Sequence, residues 1–255
     1  MKTPEREIFF VGFLSEIPPG LRRFLALTCV ILPCVFAGLG FAVSATQDDP
    51  GDGAFRFDLG RQELTGVVTA LPYPTLTIIE GSELLPPGHV LMLSGAGKTG
   101  ARAAAGLDGQ LARIQGIALT RGTLTMLQLA GGARAPAPVE GAVLPAPTPD
   151  TSLGRWRLTG EICDGKCLAG AMRPGTGLSH KACANLCLIG GIPPVFAATG
   201  DVEGEAFFLI AGPDGGPMPE HLLEITAVLI EAEGEIVRRG DLLIFKLDPA
   251  TARVL

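Results

Sequence analysis

The chain has 255 residues, a formal charge of −6 and a positive mean hydropathy of +0.38, which is room for one large or two small domains that each bury a core. One Trp, one Tyr and an acidic balance exclude a nucleic-acid-binding face, which needs basic groups and stacking rings. With 35 Gly and 21 Pro, short strands joined by turns are favoured over long helices.

In chain order, residues 1–23 read as a cytoplasmic segment ending in Arg22 and Arg23. Residues 24–45 follow, 22 in a row without a charge, long enough to cross roughly 30 Å of hydrocarbon as a helix. The basic flank before it and Gln47-Asp48-Asp49 after it predict a single pass through a bacterial inner membrane, with the bulk of the chain periplasmic. A cleaved signal peptide is the alternative, because Val43-Ser44-Ala45 offers small residues at its end. Residues 46–59 read as a polar tether.

Strand patterns then occupy residues 64–68, 76–79 and 89–93, a small helical stretch lies near 101–107, and two more strands fill 111–119 and 124–129. Three strands, a helix and two strands is the order of the five-stranded OB-fold barrel, so residues 60–131 are expected to form a first OB-like β domain. Residues 132–153, rich in Pro and Ala, read as an extended linker. A second OB-like domain is expected over 154–250, making the fold mainly all-β: tandem barrels behind one transmembrane helix.

The two β regions repeat one another. Leu64-Thr65-Gly66 matches Leu158-Thr159-Gly160, Gly116 matches Gly234, Arg121-Gly122 matches Arg239-Gly240, and Leu129 matches Leu247. Gly66 to Gly95 is 29 residues, whereas the equivalent Gly160 to Gly212 is 52. The second copy therefore carries an insertion, residues 161–194, holding Cys163, Cys167, His180, Cys183 and Cys187. An addition to one copy of a scaffold is where specialised function is usually grafted.

The spacing predicts a short helix from His180 to about residue 188, capped by Ser179, that carries His180, Cys183 and Cys187 on one stripe. Cys163 and Cys167 bracket a turn that can face it. Such a donor set suits zinc, copper or an iron-sulfur cluster. Four extracytoplasmic cysteines can equally pair as two disulfides, with no cofactor at all. Ser94-Gly95-Ala96-Gly97-Lys98-Thr99 imitates a phosphate-binding loop, but Met92 stands where its first glycine belongs, so no nucleotide is expected. Asp164-Gly165 reads as a turn former, His89 and His221 as surface or strand-edge residues, and no Ser/His/Asp set is identifiable.

The motifs Gly160-Glu161-Ile162-x-Asp164-x-Lys166-Cys167, His180-x-x-Cys183-Ala184-x-x-Cys187 and Gly190-Gly191-Ile192-Pro193-Pro194 resemble a family of membrane-anchored bacterial proteins of no established activity. In that family the position of Cys163 is often aliphatic, which implies a core set of Cys167, His180, Cys183 and Cys187. Two functions are expected. One is an anchored module binding a metal or redox cofactor, an accessory rather than an enzyme, in an envelope protein complex built around an oxidoreductase. The other is a disulfide-stapled scaffold binding a protein, peptide or glycan.

Overall fold

The computed structural model describes residues 17–46, 51, 53–141 and 149–255; most of the expected cytoplasmic segment, the first part of the tether and the middle of the linker lie outside them. Two compact units emerge, residues 1–49 and 50–255. Within the first, helix α1 (Pro19–Thr46) runs for 28 residues with Pro33 inside it. Its 25-residue stretch Pro19–Val43 has a mean hydropathy of 2.3 and is not buried. At 1.5 Å per residue that stretch is about 37 Å long, enough to cross a membrane.

The second unit is mostly strands: β1 (Ala54–Phe55), β2 (Gln62–Thr69), β3 (Thr75–Glu80), β4 (Val90–Ser94), the short helix α2 (Arg102–Ala105), β5 (Leu111–Arg121), β6 (Leu124–Leu129), β7 (Ala137–Pro138), β8 (Thr151–Asp164), helix α3 (Lys181–Ile189), β9 (Pro194–Val202), β10 (Glu205–Ala211), β11 (Ile230–Arg239) and β12 (Leu242–Val254). β8 to β12 form a closed barrel in the order β10-β12-β11-β8-β9. β1 to β7 form a seven-stranded sheet in which β5 pairs with both β2 and β6. Residues 54–55 of the expected tether and 137–138 of the expected linker join that sheet by pairing with β5, because β5 is long enough to offer backbone groups beyond its main partners.

The internal repeat reappears as identical register. Gly116 of β5 stands opposite Leu129 of β6, and Gly234 of β11 opposite Leu247 of β12. Likewise the parallel pairs Leu93 with Leu127 and Ile210 with Phe245 occupy the matching places. The repeated glycines have one physical cause. A Cβ at Gly66, Gly116, Gly160 or Gly234 would lie 2.3 Å from the carbonyl oxygen of Thr77, Gln128, Ala197 or Lys246 respectively. At each of these places the strands approach too closely for any side chain.

Alternation along the strands gives each sheet its own apolar interior, Leu64, Leu76, Ile78, Leu91 and Ile114 in the first and Ile162, Phe196, Phe208, Ile230 and Phe245 in the second. A further buried cluster draws on both: Met92, Leu119, Leu124 and Met126 pack with Cys163, Val195, Leu209 and Ile244. The glycine constraint is testable by equilibrium unfolding. Gly116→Ala and Gly234→Ala are each expected to cost about 1–3 kcal/mol through overpacking. Gly200→Ala in β9, where a Cβ meets nothing within 4 Å, should stay within about 0.5 kcal/mol.

Candidate metal centre

β8 ends at Asp164 and the chain turns at once into an irregular helical turn, Cys167–Ala171. A second turn, Leu178–His180, leads into α3. The helix therefore begins at Lys181, one residue later than the sequence predicts, and Ser179 does not cap it. His180 holds the cap position without a side-chain cap bond, because its ring is committed elsewhere. α3 stops where Gly191, at φ 92°, lets the chain close on itself: Gly191 N–H donates to Leu188 O at 2.9 Å and Ile192 N–H to Cys187 O at 3.0 Å.

Asp164 organises what lies between. It is fully buried, its Oδ1 accepts the Cys167 N–H at 2.8 Å, and its Oδ2 pairs with His180 Nε2 at 2.8 Å. The other ring nitrogen, His180 Nδ1, lies 3.1 Å from Met172 Sδ. Two sets of donor atoms converge. Those of Cys167, His180 and Cys183 lie within 4.8 Å of one another, and so do those of Asp164, Cys167 and Cys187. The Cys/His cluster thus has a geometry able to hold a metal ion. Cys163 sits apart, fully buried among Met126, Val195 and Leu209 in the cluster the two sheets share, where burial pushes its thiol pKa up. A side chain on a strand alternates faces, and the Cys163 position faces that core.

Sequence reading missed the roles of two lysines, Lys98 from the loop after β4 and Lys166 from the insertion itself. Lys98 Nζ lies 2.7 Å from Cys183 Sγ and 3.5 Å from Cys187 Sγ. The buried Lys166 amine donates to Gly95 O at 2.7 Å and Gly97 O at 2.8 Å. Gly100 N–H donates to Gly190 O at 2.9 Å, and a Cβ on Gly190 would meet Lys98 O at 1.8 Å. The loop that imitates a phosphate-binding motif is therefore a clamp on the cysteine insertion. Gly95 allows a close approach, where a Cβ would meet Gly100 O at 2.7 Å, and Gly97 takes the turn at φ 59°. No signal within the insertion could have revealed Lys98, which lies 85 residues from Cys183 in sequence.

Charge is distributed accordingly. The hydrogen bond with the Cys167 thiol, helped by Lys98 and opposed by burial, holds the Cys187 thiol down to about 7. The same contact with Cys187, together with burial, pushes Cys167 up. Cys183 raises Lys98, and burial lowers Lys166. The pair's proton is thus drawn towards Cys167 and away from Cys187. All six cysteines are free thiols.

A second constellation lies across the two sheets. His89, read from sequence as an ordinary surface residue, pairs through Nδ1 with Asp241 Oδ2 and through Nε2 with Thr125 Oγ1 at 2.5 Å, while Val90 N–H donates to Asp241 Oδ1 at 2.8 Å. Burial acts against the Asp241 carboxylate, but His89 and the Val90 amide hold its pKa below the usual range. Both oxygens of Asp241 are spent on β4 and the residue before it, so the group ties the β11–β12 turn to the first sheet. His221 is exposed.

The thiol pair fixes a sign for pH dependence. The folded value of Cys187 is about 7 against an ordinary 9.0, so its contribution is complete above the ordinary value and is lost as pH falls through about 7. Metal-free protein should therefore gain unfolding free energy as pH rises from 7 towards 9. The opposite displacement of Cys167 ends the gain beyond that. Urea unfolding at a series of pH values should show the climb, reduced in Lys98→Met and absent in Cys187→Ser.

No family model, no curated protein and no solved structure matches this chain, so its function is argued from the geometry alone.

Proposed function

We propose that the chain is a membrane-anchored extracytoplasmic module that binds a metal or redox cofactor through Cys167, His180, Cys183 and Cys187, as an accessory protein of a membrane or periplasmic oxidoreductase assembly. The observation that carries this reading is the convergence of the Cys167, His180 and Cys183 donor atoms within 4.8 Å, with the imidazole held through Nε2 by a buried carboxylate. Metal-binding histidines are oriented by such a carboxylate, which fixes the tautomer and leaves the other nitrogen free to ligate. Lys98 adds a positive charge beside the thiols, offsetting a set of anionic ligands.

On this reading α1 is an uncleaved anchor, the residues after it lie outside the cytoplasm, and residues 60–131 and 154–250 are OB-like barrels in tandem. Their shared strand register supports the last point, and Arg22 and Arg23 before the apolar stretch support the orientation. The scaffold reading has one observation in its favour. The donor atoms of Cys167 and Cys187 lie within 4.8 Å of one another, so oxidation can join them and close the site.

Two measurements decide. Protein extracted from membranes and purified without chelator should contain stoichiometric metal, and His180→Ala should lose it, with affinity reduced about 10- to 100-fold or more and the fold retained. Protein without metal, in which Cys167 and Cys187 are oxidised to one another and His180→Ala melts like the parent, would be the stapled scaffold. For the anchor, the chain should remain with membranes after a carbonate wash. A soluble form beginning near Thr46 would mean that the apolar segment is a cleaved signal.

A further inference from the structure

The donor atoms around His180 discriminate between metals. Among the described residues, Asp164 is the carboxylate grouped within 4.8 Å of the thiol donors Cys167 and Cys187. Both its oxygens are already engaged, by Cys167 N–H and His180 Nε2. Those two bonds hold the carboxylate against the turn and the ring. What remains is sulfur and one imidazole nitrogen.

The contact of His180 Nδ1 with Met172 Sδ at 3.1 Å adds the second observation. With the ring hydrogen on the Nε2 side, facing Asp164, Nδ1 turns a lone pair towards the thioether, which itself has only lone pairs to offer. In that tautomer the two atoms are placed to share a cation. Zinc takes thiolate, imidazole and carboxylate, whereas thioether and thiolate together select monovalent copper.

Building on the metal reading above, we propose that the site is selective for Cu(I), and that Met172 is a ligand alongside His180 Nδ1 and the thiols of Cys167 and Cys183. Placement agrees with this. Cys167 and His180 are only 6% and 2% exposed, while Met172 is 43% exposed and Cys183 half-buried. The two outer ligands form the mouth through which a copper ion enters or is passed on. Lys98, at Cys183, balances the charge left when one monovalent ion meets two thiolates. A Cu(I) site of this kind would make the module a copper carrier or donor to its assembly.

The test uses the full-length chain in detergent under reducing, anaerobic conditions. Cu(I) affinity is read by competition with a chromophoric Cu(I) chelator and Zn(II) affinity with a zinc-sensitive dye. Met172→Leu preserves the volume of an exposed side chain, so folding is retained and checked by its melting curve. The expected result is a loss of about tenfold or more in Cu(I) affinity with Zn(II) affinity changed less than about twofold. Equal loss of both metals would show that Met172 only packs on the His180 ring, and an unchanged Cu(I) affinity would show that it is no ligand; either overturns the copper assignment while the metal site stands. If the parent takes up neither ion, or His180→Ala alters neither affinity, the metal reading itself fails.

Discussion

A carboxylate with no solvent exposure cannot stand alone: leaving such a charge unpaired costs several kcal/mol. Asp164 meets that demand with the amide of Cys167 and the ring of His180, and in doing so it fixes one end of each of the two turns that carry the cysteines. Its position follows from β8, whose last pairing is Asp164 with Pro194 of β9. The site is thus referenced to the barrel through one residue. Replacing that residue removes the common reference for Cys167 and His180 together.

The clamp from the first sheet supplies the other boundary. Residues 95–100 meet the insertion through backbone, at Gly100 with Gly190, and through the two lysines that exchange sides. Lys98 reaches across to the thiols while Lys166 reaches back to the carbonyls of the loop. A buried ammonium on two carbonyls and an exposed one on two sulfurs place positive charge on both sides of the thiols. That arrangement needs both copies of the repeat, since Lys166 comes from the insertion and Lys98 from the loop after β4.

Much of the scaffold was legible because its cause is local. Gly116 and Gly234 are spaced from Leu129 and Leu247 by 13 residues each, and strand register turned that spacing into opposed pairs. The apolar run of α1 was legible for the same reason. What was hidden depends on contacts between distant segments. Asp164 looked like a turn former, and its partner His180 lies 16 residues on. Ser179 has the chemistry of a cap, yet the buried demand of Asp164 for the His180 ring fixed where α3 begins. Lys98 sat in a motif whose glycines imitate a phosphate loop, and only the packing of Gly100 on Gly191 gives those glycines another purpose. His89 and Asp241, 152 residues apart, had no pattern in common.

The placement of Cys163 bears on the chemistry of the rest. Set in the cluster shared by the two sheets, with its thiol pKa raised by burial, it is a core side chain and no partner for the others. Three thiols then remain, and disulfide pairing can satisfy only two. Cys167 with Cys187 is the pair in contact, which would leave Cys183 facing Lys98 as an unpaired thiol. A staple needs neither that third thiol nor the lysine beside it. A metal ion uses the third thiol as a ligand and the lysine as counter-charge, together with the ring that Asp164 holds in place. Oxidation and metal binding would compete at this site, because the thiol of Cys167 cannot serve both.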